Sequence, residues 1–282
     1  MRTNGKWVGE TGNPPLSEGF PGYARRSEPD ASDTQNTAPD APRQQAVERL
    51  LGDARLSTYL AASGGDRGRA AELYLWANQL GGALHAQIAF VEVAVRNAID
   101  ARLAAWNSVH GGGPEWTAPG AAAEPLYSLL RRQLIEARTR ASREAAQRPA
   151  THPRRDLAPG HDDVVAQLMF GSWVRIVRPA SRDESPRRQQ LLWHRSLRDA
   201  FPNTTGEDSA RHAIGEQLET LRRLRNRVAH HDNLLQVDAR HRLNGTLALL
   251  AAIDREYPAL AMARSDLRRI IGEDPRKTWS IS

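Results

Sequence analysis

The sequence predicts an all-α protein, on three observations. Apolar residues recur at steps of three and four over most of the chain beyond Gln44. No stretch shows the strict alternation of a half-buried strand. With 282 residues, 40% of them hydrophobic, the chain is long enough to bury a sizeable core.

Residues 1–42 stand apart. They are rich in Gly, Pro, Ser, Thr, Asn and Asp and poor in aliphatic side chains. Such a segment buries too little apolar surface to offset its ordering entropy, and it reads as a disordered N-terminal tail. Beyond it, Val47, Leu50, Leu51, Leu56, Tyr59 and Leu60 keep helical spacing until Ser63-Gly64-Gly65 breaks the pattern. A second, long helix starts near Asp66, a capping residue, and runs to about Trp106. The pair Gly81-Gly82 lies within it, a place for a kink or for a close helix neighbour.

A Gly-rich loop at 110–114 leads into a helix over 124–147. Pro149, Pro153 and Pro159 make the following stretch irregular, with His152 and His161 expected to be exposed and inert. A short apolar segment surrounds Gly171, and a polar loop spans 179–188. Helices then read as 187–200, 207–231, 237–256 and 258–271. Trp76, Trp106, Trp173 and Trp193 sit within apolar helical patterns and are expected in the core. The division is one helical domain over 43–274, preceded by the 1–42 segment and followed by a tail over 275–282.

The formal net charge is +6, and most of the basic charge is arginine. Arginine offers planar, forked donors to phosphates. Between 131 and 155 there are eight Arg against two Glu, including Arg131, Arg132 and Arg138. That stretch is either a solvated helix face or a contact to nucleic-acid phosphates. There is no cysteine, which excludes disulfides, thiolate metal sites and a cysteine nucleophile. No apolar run is long enough to span a bilayer, and no membrane partner is expected. The N-terminus has no apolar segment of signal-peptide type, so the expected location is cytoplasmic.

One segment breaks its own pattern. In the helix near 207–231, Ile214, Leu218, Leu221, Leu224 and Val228 form an apolar stripe about 120° wide. Arg225 projects into that stripe, where a guanidinium is costly unless it is paired or faces a polar cleft. Asn226 and His230 share a second face, with Arg222 one turn earlier. Imidazole can move protons near neutral pH, and a guanidinium can stabilise charge on a phosphate. RNA carries its own nucleophile, the 2′-hydroxyl, so this set of groups can act without a metal. The structural alternative is an Arg225 ion pair with Glu92 or another carboxylate, with His230 and His231 packing the helix end. His231-Asp232 also matches the dipeptide of metal-dependent phosphohydrolases, but the other ligands that chemistry needs are not evident in the spacing.

Six ordered pieces resemble the Abi-like (abortive infection) proteins, a branch of the HEPN superfamily. They are 55–60 (RLSTYL), 73–78 (LYLWAN), 90–99 (FVEVAVRNAI), 170–174 (FGSWV), Trp193 through Leu197 to Pro202, and 224–231 (LRNRVAHH). Together they cover about 50–235. The resemblance implies a HEPN-like helical bundle and a ribonuclease motif in which Arg225 stabilises the phosphate, Asn226 is the usual polar neighbour and His230 moves the proton. His231, Glu92, Arg96 and Arg222 would support that centre. It further implies a homodimer, an RNA partner, no cofactor, and a role in phage defence or toxin-type growth arrest. An antitoxin or a phage-derived trigger would then be a partner. Some proteins of this superfamily bind without cutting, so a non-catalytic RNA-binding or regulatory dimer is the alternative.

Overall fold

The computed structural model describes residues 41–279, and among them every regular element is helical. Most of the expected disordered tail therefore lies outside the described residues. Helix α1 (Ala41–Ala62) is interrupted at Gly52, which adopts φ +64, a conformation that glycine enters without a Cβ penalty. Helix α2 (Arg67–His110) is the spine of the domain. Asp66 caps it, its side chain accepting from the Arg69 N–H at 2.9 Å. Helix α2 is continuous through Gly81 and Gly82. The close neighbour there is Leu234, 3.7 Å from where a Gly81 Cβ would stand.

Helix α3 (Leu126–Ala146) is followed by the irregular Pro-containing stretch. Then come the short α4 (His161–Ala166), which periodicity does not reveal, and α5 (Phe170–Val177). Helix α6 (Arg187–Arg195) continues into a 3-10 turn at Leu197–Ala200. Helices α7 (Asp208–Ala229) and α8 (Ala239–Ile253) follow. The segment expected as one helix over 258–271 is two, α9 (Tyr257–Met262) and α10 (Leu267–Gly272). Ser265 separates them and accepts the Leu267 N–H on its hydroxyl.

The core lies around α2, against which α1, α7, α8 and α10 pack. Leu73, Leu80, Val91, Val95, Ile99 and Leu103 are fully buried on one stripe of it. All four tryptophans expected in the core are buried. The end of α5 meets α7 so closely that a Cβ on Gly215 would stand 3.0 Å from Arg178 Cβ, a contact that would push the two helices slightly apart. Arg211, 4% exposed, fastens the same crossing by donating to the Val177 carbonyl at 2.8 Å and to Asp208.

Of the expected 275–282 tail, residues 275–279 are described and pack against the helical domain. Pro275 is buried, and the Arg276 guanidinium donates to the Leu235 carbonyl at 2.8 Å and lies over the Trp76 ring. His161 is not exposed and inert. Its Nε2 meets Asp100 at 3.0 Å, its Nδ1 meets Thr117 at 2.8 Å, and Trp116 packs edge-on against it. The Asp100 hydrogen bond raises the His161 pKa above its ordinary value, against a smaller opposing effect of burial. A raised folded-state pKa contributes stability that is present below the unfolded value and lost as pH rises through the folded one. The unfolding midpoint of the wild type should therefore fall relative to that of His161→Gln as pH rises from about 6 to about 9. Parallel pH profiles for the two proteins would disprove the linkage.

Candidate functional site

The last turn of α7 carries the Arg-Asn-to-His segment. Its carbonyls are satisfied by a Schellman arrangement: the Asp232 N–H donates to the Arg227 carbonyl at 2.9 Å, and the His231 N–H to the Val228 carbonyl at 3.1 Å. The residue at the left-handed position of that motif is usually glycine. Here it is His231, at φ +52, the one non-glycine residue with positive φ among the described residues. A side chain in this region costs about 1–2 kcal/mol, and such strain gathers at functional sites. Arg55 holds the strained residue in place, its Nη2 donating to the His231 carbonyl at 2.5 Å. His231→Gly should raise stability by about 1 kcal/mol in urea unfolding. A lower stability would mean that imidazole contacts outweigh the backbone strain.

His230 closes the helix through its backbone, donating to the Asn226 carbonyl at 2.9 Å. Its side chain is exposed, and neither imidazole is held by another side chain among the described residues. His231 also lines a cleft of about 770 Å³ between the α1–α2 pair and the end of α7, shared with Tyr59, Tyr74, Asn78 and His85. The first and last of the family-like pieces thus meet in space.

Arg225 lies against α2, its Nε 3.3 Å from Glu92 Oε1. Both side chains are about one-third exposed. The contact is within ion-pair range but is not aligned as a hydrogen bond, since Glu92 Oε1 has no donor. A pair of this kind contributes at most about 1 kcal/mol, so it orients the guanidinium without consuming its donors. Arg96, one turn beyond Glu92 on α2, donates instead to the neighbouring Asn97 side chain at 3.2 Å.

Arg222 faces α5. With Arg223 it grips Glu219, at 2.7 Å and 2.8 Å respectively. The hydrogen bond from Arg222, and then that from Arg223, lower the Glu219 pKa to about 2 despite its burial. Glu219 therefore stays anionic at any physiological pH and fixes both arginines.

The three arginines proposed on α3 divide. Arg131 and Arg132 are exposed, Arg132 pairing with Glu136 at 3.3 Å. Arg138 is turned inward, donating to the Thr117 and Ala118 carbonyls. It braces the loop before α3, and its partial burial lowers its pKa. Arg140, from the basic 131–155 stretch, lines a groove between α3, α5 and α7 with Arg222, Arg223 and two arginines to which the sequence assigns no role, Arg175 and Arg178. Two signals in the sequence pointed there, the basic 131–155 stretch and the Phe170–Val174 piece, whose Gly171 and Ser172 form part of that groove.

Among the described residues, no group of three or more His, Asp or Glu side chains is placed to hold a metal ion. None of their helices is long and apolar enough to cross a membrane. The chain matches no family model, no curated protein and no solved structure.

Proposed function

We propose that this chain is a metal-independent endoribonuclease of a phage-defence or toxin-type system, built on a HEPN-like bundle. The observation that carries the reading is the end of α7. An exposed imidazole, an amide and a loosely paired guanidinium crowd one helix terminus beside a strained residue. In the proposed reaction His230 takes the proton of the substrate 2′-hydroxyl. That oxygen attacks the adjacent phosphorus and the P–O5′ bond breaks, the 5′-oxygen taking its proton from the His230 imidazolium of the same or a second copy or from water, and a 2′,3′-cyclic phosphate remains. Arg225 stabilises the charge on the phosphate and Asn226 positions it. His231, Glu92, Arg96 and Arg222 support them.

At about 100° per residue, Arg225 and His230 project from α7 roughly 140° apart. That divergence favours a centre completed by a second copy. The test is incubation of the purified protein with total RNA in EDTA. Cleavage that depends on His230 supports the proposal. Intact RNA, with binding that survives His230→Ala, would instead assign the chain to the non-catalytic RNA-binding class.

A further inference from the structure

The Phe170–Val174 piece has no part in the chemistry above. Phe170, Trp173 and Val174 are core residues. Gly171 and Ser172, with part of Val174, line the groove of about 430 Å³ between α3, α5 and α7. Six guanidinium groups and two carboxylates share that lining. Arg132 has Glu136, while Arg175 and Arg178 are paired with Glu184 and Glu216 from outside the lining. Arg222 and Arg223 share the single carboxylate of Glu219, and Arg140 meets none among the described residues. The Arg140 Nη2 donates to the Gln167 carbonyl at 2.8 Å, but its Nε is buried without an acceptor. The hydroxyl of Ser172, a residue 2% exposed, also has no partner among the described residues. In the first turn of α5 the Ser172 N–H is taken up by the Met169 carbonyl at 2.8 Å, so the Gly171 N–H is the one left to face the groove.

We infer that this groove binds a phosphoryl group, and that in the working protein it is a backbone phosphate of RNA lying along α7. The second half of that statement rests on the ribonuclease reading. A phosphate brings several acceptor oxygens to one point, which matches an excess of forked donors, an orphaned Nε and an unpaired hydroxyl. Gly171 keeps the space open. A Cβ there would stand 3.6 Å from Arg222 Cδ, an ordinary contact, so packing does not demand glycine, whereas a longer side chain would project into the groove. Arg222, Asn226 and His230 follow at four-residue steps on one face of α7. A strand held in the groove would reach His230 about 12 Å further along the helix.

The test uses Gly171→Asp, which puts a carboxylate in the place of the phosphate. An acidic residue in the first turn of a helix is favourable, so the fold should be retained, as thermal unfolding would verify. Ser172→Ala removes only the unpartnered hydroxyl. Binding of inorganic pyrophosphate is measured by calorimetry. Binding of a fluorescein-labelled oligouridylate is measured by anisotropy across a salt series, in a His230→Ala background that leaves the strand intact. Gly171→Asp should weaken both ligands by at least about tenfold and make the salt dependence shallower by about one charge. Ser172→Ala should weaken them a few-fold. Pyrophosphate binding that Gly171→Asp abolishes, with no RNA bound by any form, would keep the phosphoryl site and refute the ribonuclease reading. Wild-type RNA cleavage with ligand binding indifferent to Gly171→Asp would overturn the groove assignment and leave the nuclease standing. A wild type that binds neither probe overturns it as well. Should Gly171→Asp fail to fold, Arg140→Gln decides the matter by the same readouts.

Discussion

His230→Ala should lower the rate of RNA cleavage in EDTA by about 10²–10⁴-fold, the usual contribution of a positioned proton-transfer group. The side chain is exposed and held by no other side chain among the described residues, so its removal should move stability by less than about 0.5 kcal/mol. A large loss of rate at constant stability separates a chemical role from a structural one. Arg225→Ala should cost about 10²–10³-fold, because it withdraws a fixed charge from the phosphate. Glu92→Gln should cost less, since Glu92 orients Arg225 from 3.3 Å without engaging it in a hydrogen bond. The readout is the initial cleavage rate of a defined RNA, with 2′,3′-cyclic phosphate ends scored separately. Undiminished cleavage by His230→Ala would remove His230 from the mechanism. Equal loss of rate and of thermal stability in Arg225→Ala would return Arg225 to a structural role.

The largest effect on stability is expected at Trp193. It is fully buried on α6, stacked on Phe201 with ring centroids 5.8 Å apart. Its indole N–H donates to the Gly206 carbonyl at 2.8 Å. These contacts tie α6 to the loop that launches α7, and so set where α7 begins. Trp193→Ala removes a large apolar surface, leaves a cavity and strands the Gly206 carbonyl. A loss of about 3–5 kcal/mol should follow, lowering the unfolding temperature on the order of 10 °C. Trp193→Phe keeps the stacking and loses the hydrogen bond, so it should lie between the two. A change below about 1 kcal/mol for Trp193→Ala in calorimetric or urea unfolding would show that α7 is not anchored through this residue.

Much of this architecture was legible in the sequence, because helical periodicity is a local property. The apolar steps of α2 and α7, the Asp66 cap and the burial of four tryptophans all follow from neighbours within a few turns. Short elements were harder to read. Helix α4 has six residues and presents too few apolar positions to define a period. The break between α9 and α10 depends on one Ser hydroxyl competing with the backbone.

The sequence by itself determined that the chain is helical, that Arg225 intrudes on an apolar stripe, and that Asn226 shares a face with His230. It could not determine what the charges meet. Arg131, Arg132 and Arg138 look equivalent in the sequence, yet Arg138 is spent on two loop carbonyls while the other two reach solvent. Glu92 and Arg225 are 133 positions apart in the chain and become partners only because α2 and α7 pack together. His161 acquires its partners, and its raised pKa, from α2 and the loop before α3. The arginine groove exists only where α3, α5 and α7 converge. Apolar burial follows the angular spacing of residues on one helix. The pairing of a guanidinium depends on which other helix crosses within a few ångströms, and only the tertiary structure decides that.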